Sequence, residues 1–180
     1  MNACRGIRLK TPLDVSLLSH LKAGDEVFLS GVVWTARDQA HKKLIRLLQK
    51  KSRLPLDVRN QVIYYCGPTA KRPGKVIGSC GPTTSGRMDA MTIPLLKAGL
   101  KGMIGKGRRS EDVRRAVKKY KAVYFLATGG AGALLSKKVQ SRKIVCFPEL
   151  GPEAVCRLVV KDFPLIVGID ARGTDIFKKG

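Results

Sequence analysis

The sequence predicts an α/β fold built on a mixed, partly parallel sheet, and three observations carry that expectation. β-branched apolar runs alternate with segments of helical period along most of the chain. One run, Ala122 to Ala127, is continuously apolar, as strands buried on both faces are. Turns rich in glycine and proline follow several of the runs, as the rim of such a sheet requires. A hydrophobic content of 44% over 180 residues suits a folded chain rather than a disordered one. Residues 1–180 are expected to form one domain, with 1–24 as a lead-in whose Leu13, Val15, Leu17, Leu18 and Leu21 supply packing.

The elements follow in order. Asp25 to Thr35 has strand composition, with Gly31 as a candidate bulge. A helix is expected after it, capped by Asp38, with Leu44, Ile45, Leu47 and Leu48 at helical spacing. Its other face carries Lys42, Lys43, Arg46, Lys50, Lys51 and Arg53 without an acid, the pattern of a solvated or acid-docking surface. Short strands are expected at Gln61–Cys66 and Lys75–Gly78, and each leads into the tetrapeptide Cys-Gly-Pro-Thr, at 66–69 and again at 80–83. A helix should follow Arg87, with Pro94 kinking or restarting it and Ala98-Gly99 ending it. Gly102 to Gly107 is a brief apolar segment that ends in a lysine between glycines. Ser110 should cap a helix through Tyr120, with acids in its first turn and lysines in its last. Beyond the strand at 122–127, Thr128 to Leu135 gives a loop and helix. Strands at Lys143–Phe147, Ala154–Val160 and Leu165–Ile169 and a short tail complete the chain.

Charge is the outlying property: 35 Lys and Arg against 13 Asp and Glu give a formal +22. Such an excess implies polyanions, acidic protein partners or small anionic substrates. Aromatic residues make up 6% and are scattered, so no strand offers a stacking platform for bases, and a nucleic-acid-binding module is the alternative rather than the first reading. No apolar run approaches membrane-spanning length, and Met1-Asn-Ala-Cys-Arg5 lacks the apolar core of a secretory signal, so the cytoplasm is the expected compartment. Five cysteines (Cys4, Cys66, Cys80, Cys146, Cys156) without a C-x-x-C pair argue against a disulfide framework or a self-contained metal site, and favour small buried residues.

Ligands of open α/β sheets sit beyond the C-terminal ends of strands. Arg37, Thr83, Lys106 and Gly129 each follow an expected strand, which points to one shared site. Arg37, Arg87 and Lys106 are the cations that stand in loops beside glycine or a strand end. An arginine fork holds a carboxylate in bidentate fashion and a lysine adds a point charge, so a dicarboxylate suits the set. Gly81-Pro82 turns the chain before three hydroxyls, Thr83, Thr84 and Ser85. Backbone N–H groups at this turn suit an anion, while a helix cap by Ser85 is the plainer account. Gly130-x-Gly132 with Glu149 invites a dinucleotide reading, but Leu135 stands where the third glycine would be. His41, early in the basic helix, is expected to be a solvated ring.

The segment Gly78-Ser-Cys-Gly-Pro-Thr-Thr-Ser-Gly-Arg-Met-Asp89 resembles the signature of the β subunit, or C-terminal domain, of the class I iron–sulfur hydro-lyases, the fumarase and L-tartrate dehydratase family. The resemblance extends over nearly the whole chain in order. It takes in Leu29-Ser-Gly31, Ala36-Arg-Asp-x-Ala-His41, Tyr64-Tyr-Cys-Gly-Pro68, Lys106-Gly107, Gly129-Gly-Ala131, Phe147-Pro-Glu-Leu-Gly151 and Asp162-Phe-Pro164. It implies a swivelling β/β/α fold and the reversible hydration of fumarate or dehydration of tartrate. It also implies a [4Fe–4S] cluster held by a partner α subunit, and an α2β2 assembly with the site between subunits. By the same resemblance Arg37, Arg87 and Lys106 bind the substrate carboxylates, with Gly81 and Thr84 beside them, and Thr83 is the proton-abstracting hydroxyl, with Thr84 and Ser85 as alternatives. One departure is the Gly-Arg-Arg that follows Lys106, where the family commonly has Gly-Asn.

Overall fold

In a computed structural model, residues 6–71, 73–128 and 131–178 are described. Among them, the strands β1 (Ile7–Lys10), β2 (Glu26–Thr35), β3 (Val62–Tyr64), β4 (Gly102–Gly105), β5 (Val123–Leu126), β6 (Val139–Cys146) and β7 (Val155–Ile169) form one sheet in the order β1-β2-β3-β4-β5-β7-β6. β1 to β5 run parallel to their neighbours, and β7 is antiparallel to β2, β5 and β6. Because β7 pairs with both β5 and β2, the sheet closes into a five-stranded barrel of β2, β3, β4, β5 and β7, flanked by β1 and β6.

Alternation along the short strands divides the core in two. Val62, Tyr64, Ile104, Val123 and Phe125 point into the barrel and meet Val27, Leu29, Leu158 and Val167. Ile63, Tyr65, Met103 and Tyr124 point outward, against the helices α2 (Asp38–Gln49), α3 (Asp89–Lys97) and α4 (Glu111–Tyr120) through Leu44, Leu95, Leu96, Val113 and Val117. Strands covered on both faces read as unbroken apolar runs, which is why the 122–127 expectation holds.

Several expectations change. The lead-in carries β1 and a single helical turn, α1 (Val15–Leu18): Leu9, Leu13, Leu18 and Leu21 are buried, whereas Val15 and Leu17 lie exposed. Residues 75–78 form no strand. Gly78 lies so close to Thr69 and Ala70 that a Cβ there would sit 2.3 Å from the Thr69 hydroxyl, and Thr69 N–H donates to Ser79 O at 3.0 Å, so this segment packs on a loop instead of joining a ladder. Gly102–Gly105 is a fully buried strand. The two strands expected at 154–160 and 165–169 are one, β7, which continues through Asp162 at φ 46°. Gly31 does mark a register shift in β2, at φ 112°. α3 runs through Pro94, with Lys97 in its last turn and Ala98 at its C-cap.

Leu95 is completely buried between α3 and the barrel wall. Leu95→Ala is expected to lower stability by about 3 kcal/mol, read as a shift of the urea midpoint with unchanged slope.

Candidate active site

Pairing of β2 with β7 matches Thr35 with Cys156, so the residues that follow β2 stand opposite those that precede β7. Arg37, Asp38 and Glu153 thereby meet. Glu153 Oε2 accepts the Gln39 N–H at 2.7 Å, capping the first turn of α2, and Glu153 Oε1 lies 4.0 Å from Arg37 Nη2. Asp38, expected to be that cap, is instead the first helical residue. Its Oδ1 accepts from Arg87 Nε at 3.0 Å, and its Oδ2, 3.9 Å from Arg37 Nη2, is buried without a hydrogen-bond partner among the described residues. Two arginines fifty positions apart in the sequence therefore share one carboxylate.

The hydroxyl-bearing turn is held beside the lysine by backbone pairing. Thr83 N–H donates to Tyr65 O at 2.7 Å, Lys106 N–H to Thr83 O at 3.3 Å and Ser85 N–H to Lys106 O at 2.9 Å, so Thr83–Ser85 extends the sheet alongside the end of β4. Pleating sends Thr84 outward and Ser85 inward. The Ser85 hydroxyl lies 2.9 Å from the Tyr124 hydroxyl, fully buried, which leaves Thr83 and Thr84 as the hydroxyls at the rim. Close packing requires Gly105 here, since a Cβ would sit 1.9 Å from Ser85 Oγ. Gly67 is confined less tightly: its Cβ would meet Arg37 Nη1 at 2.8 Å and Pro152 O at 3.2 Å. Gly81 is used for backbone contact. Gly132, the first residue of α5 (Gly132–Ser136), packs on it so closely that a Cβ on Gly132 would lie 2.8 Å from Gly81 N. Gly129 and Gly130 lie outside the described residues, and Glu149 pairs with Lys43 on the exposed side of α2.

Sequence reasoning thus places Arg37, Arg87, Lys106, Thr83 and Thr84 at one rim, and the structure brings their backbones together there. It missed Glu153, the bridging role of Asp38, and a buried layer of Tyr65, Thr92, Arg109 and Tyr124. A polar residue next to a buried strand end was the only available signal for these. The departure after Lys106 falls on Arg108, which is exposed and stacks 5.6 Å from the Phe177 ring, whereas Arg109 turns inward. His41 contradicts its expectation. The ring is fully buried against Tyr65, and its Nδ1–H donates to Arg37 O at 2.9 Å. Burial lowers its pKa to about 4, so it is neutral at physiological pH.

Among the described residues no group of three His, Cys, Asp or Glu side chains is placed to hold a metal ion. Cys66, Cys80 and Cys156 are buried free thiols and Cys146 is half-buried; Cys4 lies outside the described residues. Contact with the Cys80 thiol and burial push the Cys66 thiol up, away from the thiolate a metal needs.

The sequence model described as Fumarase C-terminus matches residues 1–180. The chain belongs to the fumarase C-terminus family. It is 40% identical over 168 residues to a protein of Methanocaldococcus jannaschii named putative L(+)-tartrate dehydratase subunit beta, covering 90% of this chain and 86% of that one. It is 37% identical over 178 residues to fumarate hydratase 2 of Leishmania major, and 37% identical over 164 residues to the aerobic class I fumarate hydratase of Escherichia coli K12. These alignments cover 96% and 90% of the chain but only 31% and 30% of the two hydratases, so the chain spans about a third of their length. Among the described residues no helix is long and apolar enough to cross a membrane.

The buried histidine gives this family member a testable pH dependence. Its folded pKa lies below the ordinary 6.5, so the unfolded chain binds the extra proton between about 6.5 and 4, and stability falls as pH drops through that window. The full loss from His41 is about 3 kcal/mol, reached below pH 4. Urea midpoints from pH 7 to 4 should decline in the parent chain and decline less in His41→Gln. Glu111, whose pKa its Arg114 and Lys178 partners lower from 4.5 to about 2, adds its own loss only from about 4.5 downward, at the foot of the window.

Proposed function

We propose that this chain is the β subunit of an iron–sulfur-dependent hydro-lyase of class I type, a swivelling β/β/α domain that presents a four-carbon dicarboxylate to an α subunit in an α2β2 assembly. The observation that carries the reading is the rim on which Arg37 and Arg87 share Asp38 beside the paired Thr83–Lys106 segment. Membership in the fumarase C-terminus family supports it. Reversible hydration of fumarate to malate is the first reading of the substrate. L-tartrate dehydration is the second, favoured by the relative whose length this chain nearly spans, a protein named as a tartrate dehydratase subunit.

This chain's residues bind and orient. Nε of Arg87 is occupied by Asp38, but its Nη groups have no hydrogen-bond partner among the described residues and are free to fork a carboxylate. Lys106 is exposed and unpaired among the described residues, and adds a second positive charge next to Thr83. A threonine hydroxyl is a weak base. It takes a substrate proton only as its own proton is accepted elsewhere, with positive charge stabilising the oxygen. Arg87 and Lys106 supply that charge, and the acceptor belongs to the α subunit. Among the described residues the thiols are not grouped to hold a [4Fe–4S] cluster, which we assign to that partner, where an open iron would act as Lewis acid.

Co-expression with an α-type subunit should give a brown, oxygen-sensitive complex that hydrates fumarate or dehydrates L-tartrate; a loaded complex inert toward both would overturn the assignment. Arg87 is mostly exposed, so Arg87→Ala should leave the unfolding midpoint nearly unchanged. It should cut kcat/KM by roughly 100-fold, the value of a lost charge-assisted contact. Tight RNA binding at physiological salt, without turnover, would favour the nucleic-acid module instead.

A further inference from the structure

Beneath the rim lies a guanidinium closed off from solvent. The Arg109 side chain is 0% exposed and lies between two aromatic faces, 5.3 Å from the Tyr65 ring and 5.0 Å from the Tyr124 ring. Its donors reach two residues of α3 and the residue that follows β3. Nε bonds Asp89 Oδ1 at 2.6 Å, Nη2 bonds Thr92 Oγ1 at 2.8 Å, and Nη1 reaches the Tyr65 hydroxyl at 3.4 Å. Asp89 Oδ2 also accepts the Ser110 N–H at 2.6 Å, which ties the start of α3 to the start of α4.

Three of the residues around it connect to the rim, Tyr65 and Tyr124 by hydrogen bonds and Asp89 along the chain. Tyr65 O receives the Thr83 N–H. The Tyr124 O–H donates to Gly107 O at 2.9 Å, immediately after Lys106, and its oxygen accepts from Ser85 Oγ at 2.9 Å, immediately after Thr84. Asp89 begins α3 two residues after Arg87. Burial pushes the Tyr124 phenol up, so its O–H remains a donor. A buried ion pair is weak evidence of net stability, but a guanidinium fork bonded to the residues beneath two turns constrains their relative placement.

We propose that Arg109 is the positioning residue of this site, holding the Thr83–Arg87 turn and the Lys106–Gly107 turn in register through Tyr65, Tyr124 and Asp89. The inference rests on the rim being the dicarboxylate site. Arg109 touches no substrate; it decides where the groups that do will stand.

Two variants and two measurements test this. Tyr124→Phe deletes one hydroxyl and leaves the ring; Arg109→Lys keeps the charge and removes the fork. In the complex with the α subunit, each should raise KM for fumarate or L-tartrate about tenfold and lower kcat as well, because the displaced turn carries both the Arg87 fork and the Thr83 hydroxyl. In the full-length chain, amide exchange at Ser85 and Lys106 should quicken while the core strands stay protected. If Arg109→Lys fails to fold, Thr92→Val, which removes the acceptor of Nη2 and leaves the pair with Asp89, takes its place. Folded variants with parental KM and parental exchange at Ser85 and Lys106 would overturn the proposal. Should the parent complex turn over neither dicarboxylate, the functional reading falls, and the exchange measurement still decides whether Arg109 holds the two turns.

Discussion

The antiparallel pairing of β2 with β7 is the constraint from which the site follows. It closes the barrel, and it sets the end of one long strand against the start of the other. Arg37 and Glu153, separated by most of the chain, become neighbours for that reason alone. The antiparallel register also lets Glu153 cap α2, so a single carboxylate both anchors a helix start and faces a cation. Without that pairing, Arg37 would be one more charge on a chain that carries a formal +22.

Uncompensated arginines at close range repel, and the rim contains this by setting Asp38 between Arg37 and Arg87 and Glu153 beside Arg37. The arrangement is pre-organised: the guanidinium positions are set by carboxylates already present. Asp38 leaves the outer donors of Arg87 open, because it engages only Nε. A small acidic element thus shapes a basic surface instead of cancelling it.

Position at the rim is transmitted from below. The strands that line the barrel expose alternate residues to the helices, and at β5 and just beyond β3 those residues are tyrosines rather than aliphatics. The Tyr65 hydroxyl, with Thr92 and Asp89, satisfies a guanidinium that has no access to water, and the Tyr124 ring stacks on it. The buried ring of His41, neutral and edge-on to Tyr65, completes this polar layer from the α2 side.

What the sequence by itself determined was local and periodic. Unbroken apolar runs located the doubly covered strands, Ser110 predicted its own cap, and the motif around Thr83 with the cations at 37, 87 and 106 marked the rim. Short-range signals failed wherever a distant partner took over. The apolar run at 75–78 packs on a loop, the short segment at 7–10 becomes a strand because β2 offers it an edge, and Asp38 turns from its own helix to Arg87. Only the closed barrel decided which of many lysines and arginines stand together, which are buried, and which hydroxyl of Thr83, Thr84 and Ser85 faces inward. Charge and hydroxyl chemistry are properties of residues, but proximity across the chain is a property of strand register, and register is set by the packing of the whole sheet.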